Sequence, residues 1–284
     1  MLNRALLLCA LCAFILTGCG SVGKLSIENR HQSVSDIALR GGFVQDNIQT
    51  TPFILRGYKR FDNPQSKEAV LYIEGDGLAW LSRSRPSLDP TPTDPVAFRL
   101  ASFDRSDNVF YLARPCQYEK WIYKKACPMK YWTSHRFDRV VLDSYLQALD
   151  SIKRESGIEA FHVVGFSGGG GVAALLAARR DDILSLRTIA GNIDHDALNE
   201  HHNVTLMPKS LNPADYLSDL RDIPQIHYSG GQDKVVPPFL ARNFIRDLQP
   251  SNCASQVIID YASHEDGWTS AWNGYHADIP KCSE

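Results

Sequence analysis

The chain of 284 residues lacks several features by which whole classes of protein are recognised. It has no block of basic residues and no basic strip interleaved with aromatic side chains, which argues against a nucleic-acid partner. Neither sign of charge is in large excess, since 30 Lys and Arg stand against 32 Asp and Glu. Internal repeats and a linker between domains are also missing. The length fits one α/β domain with a sizeable core.

Long apolar runs are missing after the first residues of the chain. Residues 5–16 are apolar, follow the positive charge of Arg4, and are too few to span a bilayer, which is typical of a signal peptide. The run ends in Leu-Thr-Gly-Cys at 16–19, which resembles a bacterial lipobox. The resemblance implies cleavage before Cys19 and lipidation of Cys19. The alternative is an ordinary secretory signal that is cleaved nearby.

We therefore expect residues 1–18 to be a lipoprotein signal peptide and residues 19–50 to be a lipidated tether with a first irregular segment. The acyl chains on Cys19 would anchor the protein to a membrane without spanning it. In a bacterium with two membranes the resemblance implies a cell-envelope location, at the outer membrane facing the periplasm. The oligomeric state stays open.

Cysteine pairs are expected in an exported chain, because that compartment is oxidising. Four cysteines remain besides Cys19, namely Cys116, Cys127, Cys253 and Cys282. Three pairings are possible, and proximity along the chain favours Cys116–Cys127 and Cys253–Cys282 without deciding between them. These four form no Cys-x-x-Cys pair and no His-x-x-x-His accompanies them, so no metal site is expected.

Short apolar runs alternate with stretches of helical period from residue 51 onward. Strands are predicted at 51–60, 69–73, 108–113, 161–164, 186–190, 224–228 and 256–261, and helices at 137–155, 170–179, 238–248 and 265–275. Continuous apolar runs of strand length indicate strands that are buried on both faces. The predicted fold class is α/β over residues 51–284, with a mostly parallel central sheet and helices on both faces. Functional residues in such sheets lie beyond the carboxyl ends of the strands.

The sequence Gly-Phe-Ser-Gly-Gly at 165–169 lies between a predicted buried strand and a predicted helix. A tight strand-to-helix turn of this kind needs small neighbours and exposes its serine above the sheet edge. The amide that opens the helix points to the same place, where it can stabilise an oxyanion. Ser167 is therefore the candidate nucleophile, and the amide of Gly168 is one candidate oxyanion donor.

A serine hydroxyl needs a base to take its proton, and the base needs an acid to orient it. Asp233 and His264 each follow a predicted strand at its carboxyl end, on the same rim as Ser167. The chain here resembles the α/β-hydrolase superfamily, through the serine motif, Gly-Gln-Asp-Lys-Val-Val-Pro at 231–237, and His264 followed by Trp268. The resemblance implies Ser167 as nucleophile, His264 as general base and then acid, and Asp233 as the orienting acid. It implies no cofactor.

Other acidic residues and histidines are alternatives for the acid and the base. Asp194 and Asp196 follow the strand at 186–190, where some superfamily members place the acid. His195, His201 and His202 are expected to be solvated loop residues, and His227, inside a strand, a core histidine.

The second oxyanion donor is expected in the loop Glu-Gly-Asp-Gly at 74–77, where the superfamily usually has a histidine in place of Glu74. The amide of Asp76 is favoured and that of Gly77 is next, although a plain tight turn would also need glycine. The Asp76 carboxylate is expected to point away from the oxyanion or to pair with a cation such as Arg114. An alternative is that Asp76 binds a substrate amine.

The function expected from these residues is a serine hydrolase whose small-molecule substrate is a carboxylic ester or other acyl compound. Amide or peptide cleavage by the same residues is the alternative, and a non-catalytic lipoprotein that uses the scaffold for binding is the rival from another class. The connector at 194–222 is too short for a large lid. Five aromatic residues have two interpretations, since they could line a substrate pocket or simply pack within their loops. They are Trp80, Tyr118, Trp121, Tyr131 and Trp132.

Overall fold

The computed structural model describes residues 26–119 and 127–283, so the signal peptide, Cys19 and Trp121 lie outside the described residues. A central sheet has the strand order β1-β4-β8-β5-β9-β10-β11-β12. Its strands, with two short flanking pairs, are β1 (Val44–Gln45), β2 (Ile48–Gln49), β3 (Ile54–Leu55), β4 (Gly57–Phe61), β5 (Glu68–Ile73), β6 (Trp80–Ser82), β7 (Arg85–Pro86), β8 (Asn108–Leu112), β9 (Ala160–Phe166), β10 (Ile183–Ile189), β11 (Gln225–Gly230) and β12 (Ala254–Ile259).

The helices are α1 (Ile27–Gly41), α2 (Val96–Ala101), α3 (Arg139–Ser156), α4 (Gly168–Ala177), α5 (His195–His201), α6 (Leu217–Leu220), α7 (Phe239–Asp247) and α8 (Trp268–Tyr275). No helix in the described parts of the chain combines the length and apolar character needed to cross a membrane.

Six strands, in the sheet order β8-β5-β9-β10-β11-β12, run parallel to one another. At one edge of the sheet, β4 is antiparallel to β8, and β1 is antiparallel to β4. All of β8 and all but the first residue of β5 are buried, which explains their continuous apolar sequences. Separate apolar clusters lie on the two faces, one with α3, α4 and α7 and the other with α1, α2 and α8. The predicted fold class is confirmed.

The segment before residue 51 differs from the predicted irregular tether, because α1 folds against the domain. Ser26 caps the helix by accepting a hydrogen bond from the amide of Asn29, and Gly42 ends it in a left-handed conformation. The buried residues of α1 are Arg30, Val34, Ile37 and Ala38. Their spacing places them on one face of the helix. The sequence shows no clear helical period here because polar residues lie between them.

The proline-rich loop between β5 and β8 also contains structure that the sequence pattern does not predict. A small hairpin of β6 and β7 is followed by α2, whose residues are too few and too uniformly apolar to show a helical period. Arg30 reaches into this loop from α1, with its Nη1 donating to the carbonyl oxygens of Thr91 at 2.5 Å and Asp89 at 3.3 Å. The N-terminal helix therefore supports the loop on one side.

Two disulfides close loops in the chain, and their pairing is the one that sequence proximity favours. Cys116 is bonded to Cys127, and Cys253 is bonded to Cys282. The first closes the excursion after β8, and the second ties the start of β12 to the end of the chain.

We predict that Ile37→Ala lowers the free energy of unfolding by about 2–4 kcal/mol, because Ile37 is buried between α1 and the domain. Leu39 lies on the same helix but is 83% exposed, so Leu39→Ala is the matched control and should change stability by less than about 0.5 kcal/mol. Urea denaturation measures both. Equal, small effects of the two substitutions would show that α1 contributes no packing energy to the domain.

Candidate active site

Ser167 lies in the turn between β9 and α4, with φ +51° and ψ −120°. A positive φ at a residue with a side chain costs about 1–3 kcal/mol, and such strain is concentrated at functional sites. The turn is tight enough that a Cβ on Gly165 would lie 2.3 Å from the carbonyl oxygen of Gly169, so only glycine fits there. The strand-to-helix turn expected from the sequence is present.

The structure brings Ser167, His264 and Asp233 together from three different loops. The Nε2 of His264 is 3.0 Å from the Oγ of Ser167, and its Nδ1 is 2.8 Å from Oδ2 of Asp233. Because an ionised carboxylate only accepts hydrogen bonds, Nδ1 carries the proton and Nε2 is free to accept from the serine hydroxyl. This tautomer is the one that a general base facing Ser167 requires.

Asp233 is held in place by its own loop. Its Oδ1 accepts hydrogen bonds from the amides of Val235 at 2.8 Å and Val236 at 2.9 Å, which leaves Oδ2 for the histidine. The side chain of Asp233 is fully buried, while that of His264 is 15% exposed. The ring of His264 packs against Phe166, with 5.3 Å between the ring centroids. The acid is therefore rigid, and the base is open to the solvent side.

The rival acids serve other contacts. Asp194 caps α5 by accepting from the amide of Ala197, and its Oδ1 also accepts from the side chain of Asn212. Asp196 lies 3.0 Å from the Nδ1 of His195. Neither carboxylate is hydrogen-bonded to His264.

Two histidines have the burial of core residues. His227 is buried within β11, where burial lowers its pKa to about 3, as fits a core histidine. The expectation that His195 is solvated is wrong, because its ring is 1% exposed and stacks on Phe137 with 5.6 Å between the centroids. A histidine next to a strand end looks like a loop residue in sequence, but α5 turns it inward.

The loop at 74–77 rests directly on the serine turn. A Cβ on Gly75 would lie 3.3 Å from the Cβ of Ser167, so the two segments are in close contact. The amide of Gly168 opens α4 and has no acceptor inside the helix. Asp76 follows Gly75, and its amide has no acceptor among residues 26–119 and 127–283. Gly77 has φ +64° and packs against the backbone of Pro90, and its amide likewise has no acceptor in those ranges. Asp76 and Gly77 therefore both stay candidates for the second donor.

The Asp76 carboxylate is clamped between two guanidinium groups. Nη1 of Arg114 donates to Oδ1 at 2.9 Å, and Nη1 of Arg136 donates to Oδ2 at 2.7 Å. The carboxylate also packs on the backbone of Gly168, where a Cβ would lie 2.2 Å from Oδ1. The expected pairing with Arg114 is confirmed, and the two cations offset the repulsion between Asp76 and a developing oxyanion. The charge of Asp76 is thus compensated within the protein, and the alternative that Asp76 binds a substrate amine stays a prediction.

Glu74 is a second carboxylate beneath this loop, and it is 1% exposed. It accepts hydrogen bonds from the amides of Gly75 at 3.0 Å, Ala97 at 3.2 Å and Phe98 at 3.3 Å, and from the hydroxyl of Tyr111 at 3.1 Å. Burial outweighs these donors and raises its pKa to about 7. Glu74 therefore joins the loop to the start of α2 through a carboxyl group whose charge changes near neutral pH.

A cavity of about 280 Å³ opens beside Ser167 and His264. Of the five aromatic residues considered from the sequence, Trp80 lines this cavity and is 44% exposed. Tyr118 and Trp132 are buried, and Tyr131 packs edge-on against Phe53. Ordinary loop packing thus accounts for three of the four that are described.

Arg136 is the residue of this site that sequence reasoning misses. It lines the cavity, yet it lies 22 residues after Arg114 in an excursion that has no periodic pattern. Only the three-dimensional path of that excursion brings both guanidiniums to one carboxylate.

We predict that Glu74→Gln reduces the dependence of stability on pH. The pKa of Glu74 is about 7 in the folded protein against about 4.5 for an exposed glutamate, so the folded state holds a proton that the unfolded state loses in this window. Stability therefore falls as pH rises from about 4.5 to 7, and Glu74 should account for about 2–3 kcal/mol of the loss between about pH 5 and pH 8. Urea denaturation at both pH values measures this loss. The same loss in wild type and variant would contradict the assignment.

Comparison with known proteins rests on structure, since no protein-family model and no curated protein matches the chain. The esterase Pf2001 of Pyrococcus furiosus superposes with a TM-score of 0.58 at 12% identity, over 84% of this chain and 91% of that one. Est1E from Butyrivibrio proteoclasticus gives 0.55 at 14% identity, over 81% and 96%. An acylaminoacyl peptidase of Pyrococcus horikoshii gives 0.60 at 11% identity, over 82% of this chain and 40% of that one. The sheet, the serine turn and these similarities establish that the chain has the α/β-hydrolase fold.

Proposed function

We propose that this protein is a serine hydrolase that cleaves carboxylic esters by way of an acyl-enzyme at Ser167. The observation that carries the proposal is the continuous contact from Ser167 through His264 to Asp233, at 3.0 and 2.8 Å. An activated serine beside two candidate oxyanion donors is suited to acyl transfer. A scaffold used only for binding has no physical need for this arrangement.

In the first step, Ser167 attacks the ester carbonyl while Nε2 of His264 takes the hydroxyl proton. The buried Asp233 carboxylate stabilises the imidazolium that forms, and the amides of Gly168 and Asp76 donate to the oxyanion. The tetrahedral intermediate collapses, the carbon–oxygen bond to the alcohol breaks, and His264 protonates the departing alkoxide.

In the second step, His264 takes a proton from water, and the water oxygen attacks the acyl-enzyme carbonyl. The second tetrahedral intermediate releases the carboxylic acid, and His264 returns the proton to Ser167. No cofactor enters either step.

Amide or peptide cleavage is the second candidate, because an acylaminoacyl peptidase is as similar in structure as the esterases are. The same residues would act, with His264 protonating an amine leaving group. Esters are favoured because their leaving group is the easier one to expel.

We further propose that the enzyme works in the cell envelope, anchored through Cys19. The apolar run at 5–16 and the lipobox-like sequence at 16–19 support this location. Two disulfides in one domain are also typical of an exported protein.

We predict that a fluorophosphonate probe labels the purified protein at Ser167, because His264 makes this hydroxyl nucleophilic. Mass spectrometry of the labelled peptide identifies the modified residue. Ser167→Ala should remove both the label and the ester hydrolysis, while circular dichroism reports an unchanged fold. Folded wild-type protein that neither takes the label nor cleaves any ester would overturn the proposal and favour a binding role.

We predict that Asp233→Asn lowers kcat on a phenyl ester by about 10³- to 10⁴-fold with a smaller effect on KM, because the amide no longer selects the Nδ1-protonated tautomer. Asp194→Asn is the matched control, since Asp194 caps α5 and does not contact His264. It should retain kcat within a few-fold. If the two substitutions had reversed effects, the acid of the site would have to be reassigned to Asp194.

A further inference from the structure

Arg136 presents part of its guanidinium to the cavity beside Ser167. Its side chain is 17% exposed, and it lies among the residues that line the cavity. Nη1 donates to Asp76, Nε donates to the Sδ of Met207 at 3.3 Å, and the group lies 5.9 Å from the centroid of the Phe137 ring. These contacts fix the position of the guanidinium and leave Nη2 without a protein partner in the described parts of the chain.

Arg114 provides the contrast, since it contacts the same carboxylate but does not line the cavity. Its Nη1 donates to Asp76 and its Nη2 donates to the carbonyl oxygen of Arg136. Its side chain is 5% exposed. Each arginine has one donor nitrogen without a partner in the described parts of the chain, Nε in Arg114 and Nη2 in Arg136, but of the two only Arg136 is among the residues that line the cavity.

The other charges at the cavity do not cancel this donor. Glu74 also lines the cavity, but its carboxyl group accepts hydrogen bonds from three amides and a tyrosine hydroxyl, and its raised pKa of about 7 leaves it partly neutral near pH 7. Asp94 is ion-paired with Arg99 at 2.7 Å, so it is already neutralised. Glu265 lies at the rim and is exposed, where water screens its charge. Asp76 is shared between two cations. A partly buried guanidinium with an unused donor is therefore the least compensated charge that the cavity wall presents.

We propose that Arg136 selects substrates whose acyl group carries a carboxylate, with Nη2 donating to that carboxylate while Ser167 attacks the ester carbonyl. This rests on the proposed ester hydrolysis and names its substrate class as monoesters of short dicarboxylic acids. A charged hydrogen bond to a desolvated guanidinium is stronger than a neutral one, which makes the contact a source of selectivity. Because Arg136 donates to the same carboxylate that packs on the backbone of Gly168, only a short acyl chain separates its guanidinium from Ser167.

The test compares two esters of nearly the same shape, phenyl hydrogen succinate and phenyl isocaproate, which differ in whether the acyl chain ends in a carboxylate or in two methyl groups. Wild-type enzyme should give the higher kcat/KM on the succinate. Arg136→Gln should lower the ratio of the two kcat/KM values by roughly 10- to 100-fold. Arg136→Lys, which keeps the positive charge, should retain part of the preference.

Arg114→Gln is the matched control. It also removes one guanidinium from Asp76, so it should slow both esters to a similar extent, but it leaves the donor at the cavity and should keep the wild-type ratio. A wild-type preference for isocaproate would overturn the proposal, and so would an equal fall of the ratio in the Arg114 and Arg136 variants.

A binding measurement separates this inference from the proposed function. Calorimetric titration of Ser167→Ala with phenyl hydrogen succinate needs no turnover, and adding Arg136→Gln should weaken binding roughly 10-fold or more. If binding depends on Arg136 but the wild-type protein hydrolyses neither ester, the anion site stands and the proposed ester hydrolysis is wrong. If the wild-type protein hydrolyses phenyl isocaproate but Arg136→Gln changes neither measurement, the ester hydrolysis stands and the anion site is wrong.

Discussion

The site depends on the contact between the Asp76 carboxylate and the backbone of Gly168. This contact aligns the two segments that supply the candidate oxyanion donors, and it is possible only because residue 168 has no side chain. A carboxylate alone at this position would repel the charge that develops on the substrate. Arg114 and Arg136 neutralise this charge and hold the carboxylate in place. The same two ion pairs therefore fix the geometry of the loop and offset the repulsion of a developing oxyanion.

Most of the fold and the three residues of the serine–histidine–acid arrangement are local properties of the sequence. β5 and β8 are buried on both faces and therefore have uninterrupted apolar runs. Ser167, Asp233 and His264 each follow a strand of this sheet, and the parallel sheet brings the ends of its strands to one edge. Strand periods and turn chemistry make these residues candidates, and the resemblance to the α/β-hydrolase superfamily favours Asp233 over Asp194.

The remaining parts of the site depend on contacts between segments far apart in sequence, which no local pattern records. α1 is concealed because its one buried face includes Arg30, a charged residue that reaches the carbonyl oxygens of Asp89 and Thr91. Glu74 stands out in the sequence only as a replacement for the usual histidine, because its hydrogen-bond partners in α2 are more than 20 residues away. Arg136 acquires its place through the excursion after β8. In each case a polar group is stabilised by a partner that is distant in the sequence. Hydrophobic periodicity carries no information about such pairs.

The disulfide between Cys116 and Cys127 lies on the path that connects the two arginines. Bringing residues 114 and 136 to one carboxylate requires closing a loop of 22 residues, and a cross-link across 11 of them removes part of that loop-closure entropy before folding begins. The disulfide that joins Cys116 to Cys127 thus lowers the cost of assembling the charged wall of the cavity. A reduced chain would have to assemble this wall without that help, which links the maturation of the site to the moment at which its thiols are oxidised.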